Sequence, residues 1–129
     1  MKPLFMILTA LLLFWGCERT EVTGSQGFQK ATAAIGQGRP VMLEVGADYC
    51  TACQEMKTMI DAIRQEHPDA AIHMVNVNKE REAAKKLGIR MIATQIVYDA
   101  SGEEVHRHIG GYGEAEFRTV LRQYGIINE

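Results

Sequence analysis

Apolar positions along this chain fall into runs, alternations and helical stripes, and each pattern predicts an element. From Leu4 to Trp15 only Thr9 is polar. That run is too short for an ordinary membrane-spanning helix but fits the apolar region of an export signal. Ser25 to Gly36 carries Phe28, Ala31, Ala34 and Ile35 at helical spacing and stops at Gly36-Gln37-Gly38, ahead of Pro40, which predicts a first helix. Val41 to Gly46 is almost continuously apolar, as in a central strand covered on both faces. Thr51 to Gln65 places Met56, Met59, Ile60 and Ile63 at i, i+3, i+4 and i+7, and His67-Pro68-Asp69 ends that helix. Met56 and Met59 thus belong to the packing stripe.

Ala71 to Val77 predicts a second strand. Lys79 to Leu87 has helical composition, with Lys85 and Lys86 in its last turn and Gly88 placed to stop it. Thr94 to Tyr98, the turn Asp99-Ala100-Ser101-Gly102, and Glu103 to Ile109 form a hairpin. Glu114 to Tyr124, with Phe117, Val120, Leu121 and Tyr124 on one stripe, closes the chain as a helix. The order is α-β-α-β-α-β-β-α, an α/β domain. His106 and His108 alternate on one face of the last strand and are expected to face solvent, while His67 and His73 stand in no motif.

A chain of 129 residues accommodates one domain, and 47% apolar with 23% charged residues is an ordinary globular balance. The formal charge of −2 gives no basic footprint for nucleic acid. Lys2 precedes the apolar N-terminal run and Gly16-Cys17 ends it. This resembles a bacterial lipoprotein signal, although Phe14 and Trp15 depart from the usual leucine and small residue. The resemblance implies a signal peptide over residues 1–16, a lipidated Cys17 with a polar tether to residue 24, and a domain over 25–129. The protein would then sit outside the cytoplasm, anchored in a membrane. An uncleaved apolar anchor or a differently cut export signal is the alternative, with Cys17 an incidental thiol. Three cysteines leave one without a partner in an exported protein, and Cys17 is the odd one.

Cys50-Thr51-Ala52-Cys53 lies where the first strand gives way to a helix. Two cysteines at that spacing can close a small disulfide ring, and the positive end of the helix favours a thiolate. Cys50, at the helix entry, is the candidate nucleophile. Cys53, one turn further in, is the candidate resolving thiol. A structural staple is disfavoured because so small a ring constrains little chain. A zinc site would need two further ligands, and no second cysteine pair exists.

Tyr49-Cys50-Thr51-Ala52-Cys53, taken with Gly88-Ile89-Arg90-Met91-Ile92-Ala93-Thr94, resembles the thioredoxin-like superfamily from about Ser25 to Tyr124. The resemblance implies a thioredoxin fold without its optional first strand: a central mixed four-stranded sheet flanked by helices. It implies a protein thiol–disulfide oxidoreductase served by an upstream redox partner, with no cofactor beyond the Cys50–Cys53 disulfide. The residues themselves predict no metal and no nucleic acid, and nothing in them demands more than a monomer. Ala47-Asp48-Tyr49 before the first cysteine is most similar to the periplasmic thioredoxin-like domain of transmembrane disulfide reductases, which implies a reductase or electron relay. A metal-binding or metallochaperone module using the same sulfurs, and a non-catalytic adaptor, are the other classes.

The same resemblance assigns the remaining site. Glu44, six residues before Cys50, is implied to be the proton acceptor for Cys53, and burial in a central strand would raise its pKa toward neutrality. Met74 falls where thioredoxin has a lysine beside that acid. Tyr49 replaces the usual tryptophan and, with Ile92, Ala93 and Thr94, is implied to contact substrate. Ala93 replaces a cis-proline. A cis bond costs a non-proline residue about 3 kcal/mol, against roughly 0.5–1 for proline, so the Ile92–Ala93 bond is expected to be trans unless neighbouring contacts impose the other form. A changed grip on partner peptides would follow.

Overall fold

The computed structural model describes residues 26–128. The expected signal peptide, Cys17 and the tether lie outside the described residues. The elements are α1 (Gly27–Ala34), β1 (Val41–Gly46), α2 (Thr51–Glu66), β2 (Ile72–Asn76), α3 (Arg81–Lys86), β3 (Thr94–Tyr98), β4 (Glu104–Ile109) and α4 (Glu114–Gln123). All eight predicted elements are present in the predicted order. β1 and β3 have the predicted ends, and the others are one or two residues shorter or longer at an end.

The sheet runs β2-β1-β3-β4. β2 is parallel to β1, whereas β3 is antiparallel to both β1 and β4. A parallel pair needs a long crossover, and α2 supplies it. Every residue of β1 is buried, which explains why its pattern is apolar at every position but Glu44. Val41, Leu43 and Val45 pack with Ala31 of α1, Ala83 of α3, Val75 and Ile96. Met42 points the other way, into a cluster with Met56, Ile60 and Ile63 of α2 and Phe117 and Leu121 of α4. Glu44 has the parity of Met42, because strand side chains alternate between faces. Its carboxyl is therefore directed into the α2 side of the core.

Turns fix the remaining geometry. Gly88, just after α3, has φ +64°, the left-handed value expected of a helix stop. Asp99 Oδ1 accepts from the backbone N–H groups of Ser101 and Glu103 at 2.9 and 3.0 Å, closing the hairpin. Phe28 N–H donates to Glu80 Oε2 at 2.8 Å and ties the start of α1 to the segment before α3.

His106 and His108 depart from expectation. They do share one strand face, but the chain folds back after β4 and lays an aromatic ring against them. His108 stacks on Tyr112 with ring centroids 3.9 Å apart, and His106 stacks on Tyr124 at 5.1 Å. The His106 Nε2 and the Tyr112 hydroxyl are hydrogen-bonded at 2.8 Å. Both histidines are half-buried, not solvent-facing.

β1 ends in a residue that must be glycine for α2 to pack where it does. A Cβ placed on Gly46 would lie 2.8 Å from Cys53 Sγ and 2.9 Å from Cys53 Cβ, closer than carbon atoms tolerate. Gly46→Ala is expected to lower stability by about 1–3 kcal/mol, the usual range for overpacking. Urea unfolding of the oxidised protein is the measurement, and an unchanged midpoint would show that α2 shifts freely.

Candidate active site

Cys50 is the N-cap of α2. Its extended backbone, φ −91° and ψ 118°, turns the strand exit into the helix, and its Sγ accepts a hydrogen bond from Cys53 N–H at 3.3 Å. The two cysteines form a disulfide, with Cα atoms 5.2 Å apart. Their surroundings differ. Cys50 is half-buried at the helix entrance, next to Tyr49, which is 72% exposed, whereas Cys53 is 5% exposed and belongs to the core cluster under α2. No acidic residue occupies the first turn of α2. Its free N–H groups can therefore stabilise negative charge on Cys50 when the disulfide opens.

Glu44 lies behind this pair, 1% exposed. Burial pushes its carboxyl from 4.5 up to about 8, and a hydrogen bond from Gln95 pulls partly the other way. Gln95 Nε2 donates to Glu44 Oε2 at 2.9 Å, while Oε1 has no hydrogen-bond partner. Met74 stands beside Glu44 in the β1–β2 register, as expected. Glu44, Gly46, Cys53 and Met74 line a cavity of about 310 Å³. At its outer end are Lys57 and Lys79, each more than half exposed and ion-paired, with Asp61 and Asp48 respectively. The buried acid and the buried sulfur thus open on one space that reaches water.

The bond between Ile92 and Ala93 is cis, which corrects the expectation of a trans bond. The neighbouring contacts supply the reason. Ala93 is fully buried in the cluster that also holds Cys53, with Cys50 and Ile92 packed at its edge. Its carbonyl accepts from Gly110 N–H at 2.8 Å, and the Thr94 hydroxyl donates to the Met91 carbonyl at 2.7 Å. The segment is thereby fixed on both sides. Of the four residues implied to contact substrate, Tyr49 and Ile92 reach the surface, while the side chains of Ala93 and Thr94 are buried. Ala93 and Thr94 can offer a partner only their backbone.

Gln95 is the site residue that sequence reasoning missed. It is fully buried and faces Glu44 across the β1–β3 pair. The sequence holds only a weak signal for it: Gln95 is a long polar residue directly before the apolar pair Ile96-Val97, at a strand start that is already polar at Thr94. Among the described residues, no group of three or more His, Cys, Asp or Glu side chains gathers in a way that could hold a metal ion.

Residues 19–123 match the family model described as Thioredoxin. The chain belongs to the thioredoxin family. It is 29% identical over 92 residues to a thioredoxin of Porphyra purpurea, covering 70% of this chain and 84% of that one. It is 32% identical over 99 residues to the thiol:disulfide interchange protein DsbD of Ralstonia nicotianae, covering 70% of this chain but 16% of that much longer protein. Among solved structures, Fasciola hepatica thioredoxin superposes with a TM-score of 0.62 at 25% identity, covering 69% of this chain and 84% of that one. The family and the Cys50–Cys53 disulfide together make the protein a thiol–disulfide oxidoreductase.

The buried acid makes stability depend on pH. The folded carboxyl keeps its proton up to about pH 8, while the unfolded one releases it near 4.5. Between those values the folded state binds the extra proton, so stability falls as pH rises through the window. Glu44 by itself contributes a slope of about 1.4 kcal/mol per pH unit to the oxidised parent. Glu44→Gln should flatten it, which urea unfolding across a pH series reads directly. An equal slope in parent and variant would place the titration elsewhere.

Proposed function

We propose that this protein is a membrane-tethered, extracytoplasmic reductase or electron relay for protein disulfides, with Cys50 as nucleophile, Cys53 as resolving thiol and Glu44 as proton acceptor. The observation that carries the reading is the unequal placement of the two sulfurs: Cys50 half-buried at the helix entrance, Cys53 buried on a cavity shared with Glu44.

The chemistry follows from that placement. In the reduced protein the Cys50 thiolate attacks one sulfur of a client disulfide; that bond breaks, and the other client sulfur leaves as a thiolate and takes a proton from water. Cys53 then gives its proton to Glu44 in its ionised, carboxylate form and attacks Cys50 Sγ, expelling the second client thiolate. Two electrons pass from the protein to the client, and the Cys50–Cys53 disulfide seen here is the product. An upstream thiol partner restores the reduced form by the reverse path. In that step Cys53 is the leaving group, and a Glu44 carboxyl that is still protonated near neutrality returns the proton to it.

The tether and the location rest on the sequence: an apolar run from Leu4 to Trp15 followed by Gly16-Cys17. The exchange chemistry is supported by the similarity to a segment of thiol:disulfide interchange proteins, and the reductive direction rests on the resemblance of the Ala47-Asp48-Tyr49-Cys50 setting to transmembrane disulfide reductases. An adaptor role is disfavoured because both cysteines are present and form the disulfide.

Cys53→Ser should trap clients as mixed disulfides on Cys50, visible as thiol-sensitive adducts on non-reducing gels. Cys50→Ser should trap few or none, and equal trapping by both variants would overturn the assignment of roles. Cys17→Ala should lose the mass of acyl chains and move the protein from the membrane to the soluble extracytoplasmic fraction. Unchanged mass and partitioning would exclude the lipid tether.

A further inference from the structure

We infer that Gln95 is a positioning residue for the exchange reaction: it holds the Glu44 carboxyl by Oε2, leaves Oε1 turned to Cys53, and fastens the acid to the loop that carries Ala93. The inference rests on the reading of Glu44 as the proton acceptor. Glu44 and Gln95 are partners in the β1–β3 register, and both side chains are buried. Gln95 Nε2 donates twice, to Glu44 Oε2 at 2.9 Å and to the Gly110 carbonyl at 3.0 Å. The Gly110 carbonyl can only accept, so the amide cannot turn over without setting oxygen against oxygen there. Gly110 N–H in turn donates to the Ala93 carbonyl at 2.8 Å. One continuous line of hydrogen bonds therefore joins Glu44, Gln95, Gly110 and Ala93.

The two carboxyl oxygens are thereby made unequal. Oε2 is occupied, and Oε1 has no partner. A Cβ built on Gly46 would lie 4.0 Å from Oε1 and 2.8 Å from Cys53 Sγ, which places Oε1 on the sulfur's side of the strand. When Cys53 attacks, its S–H bond breaks, an O–H bond forms at Oε1, and the sulfur keeps the electron pair for Cys50. The amide of Gln95 is the right group for Oε2 because its N–H bond to a carboxylate is stronger than to a neutral carboxyl. It eases ionisation of an acid that burial otherwise keeps neutral.

The titratable and charged groups around Glu44 are Cys53 and Lys57 from α2, Asp48 after β1, Lys79 after β2 and Tyr112 after β4. Neither lysine contacts the carboxyl, since Lys57 bonds Asp61 and Lys79 pairs with Asp48. Among the described residues, Gln95 is the hydrogen-bond partner of the Glu44 side chain.

Gln95→Met keeps length and flexibility and removes both donors. In single-turnover stopped-flow reduction of an aromatic disulfide by the full chain, the resolution phase of the parent should rise with pH through the Glu44 midpoint. Gln95→Met should move that midpoint up by about one pH unit and slow resolution near neutrality about tenfold, as expected for losing a hydrogen bond to a charged group. Glu44→Gln should abolish the midpoint, and adding Gln95→Met to it should change the profile no further. A Gln95→Met midpoint equal to the parent's, with Glu44→Gln still losing it, overturns the inference and leaves Glu44 as the base. A parental profile in Glu44→Gln overturns the reading beneath both. If Gln95→Met does not fold, the parent decides: the Gln95 side-chain amide protons should shift in NMR with the same midpoint as the Glu44 carboxyl, and amide resonances that stay still across it overturn the inference.

Discussion

A carboxyl group in the middle of a sheet buried on both faces is the constraint around which the site is arranged. An isolated carboxylate there would cost many kcal/mol in lost hydration, so such a group stays neutral instead. Glu44 does so, with a pKa near 8. Its neighbours follow from that choice. Gly46 has no side chain, so Cys53 can close over the strand. Met74 adds no charge beside the acid, and Gln95 adds hydrogen-bonding capacity without charge. An acid so held changes protonation close to neutrality, where a thiol must lose its proton to react.

Much of this was legible in the sequence, for reasons that can be named. β1 and α2 were visible because their periods differ: a nearly continuous apolar run against Met56, Ile60 and Ile63 at helical spacing. The cysteine pair was visible because its chemistry is local to one turn of helix. The burial of Glu44 followed from the residues on either side of it, Leu43 and Val45.

What stayed hidden depends on register and on distant contacts. Gln95 gains meaning only when β3 is aligned on β1, and nothing within a single strand states that alignment. The cis bond before Ala93 sits among partners that are distant in sequence, such as Gly110, seventeen positions away. Likewise the cover over His106 and His108 comes from Tyr124 and Tyr112, beyond the strand's end, and no pattern within the strand announces it.

The cavity behind Cys53 has a consequence for traffic through the protein. It lies on the β2 side of β1, between Met74 and Lys79 on one side and Cys53 and Lys57 on the other. Ala93 and Ile92 lie on the β3 side, and the sheet order β2-β1-β3 sets the two on opposite flanks of the disulfide. Under the proposed roles of Glu44 and Cys50, electrons and protons use separate doors. A client seated as proposed over Cys50 and the Ala93 segment would close the front while the rear stays open to water. The protein can thus grip a client tightly without sealing off its own proton supply, and surface changes at one entrance need not disturb the other.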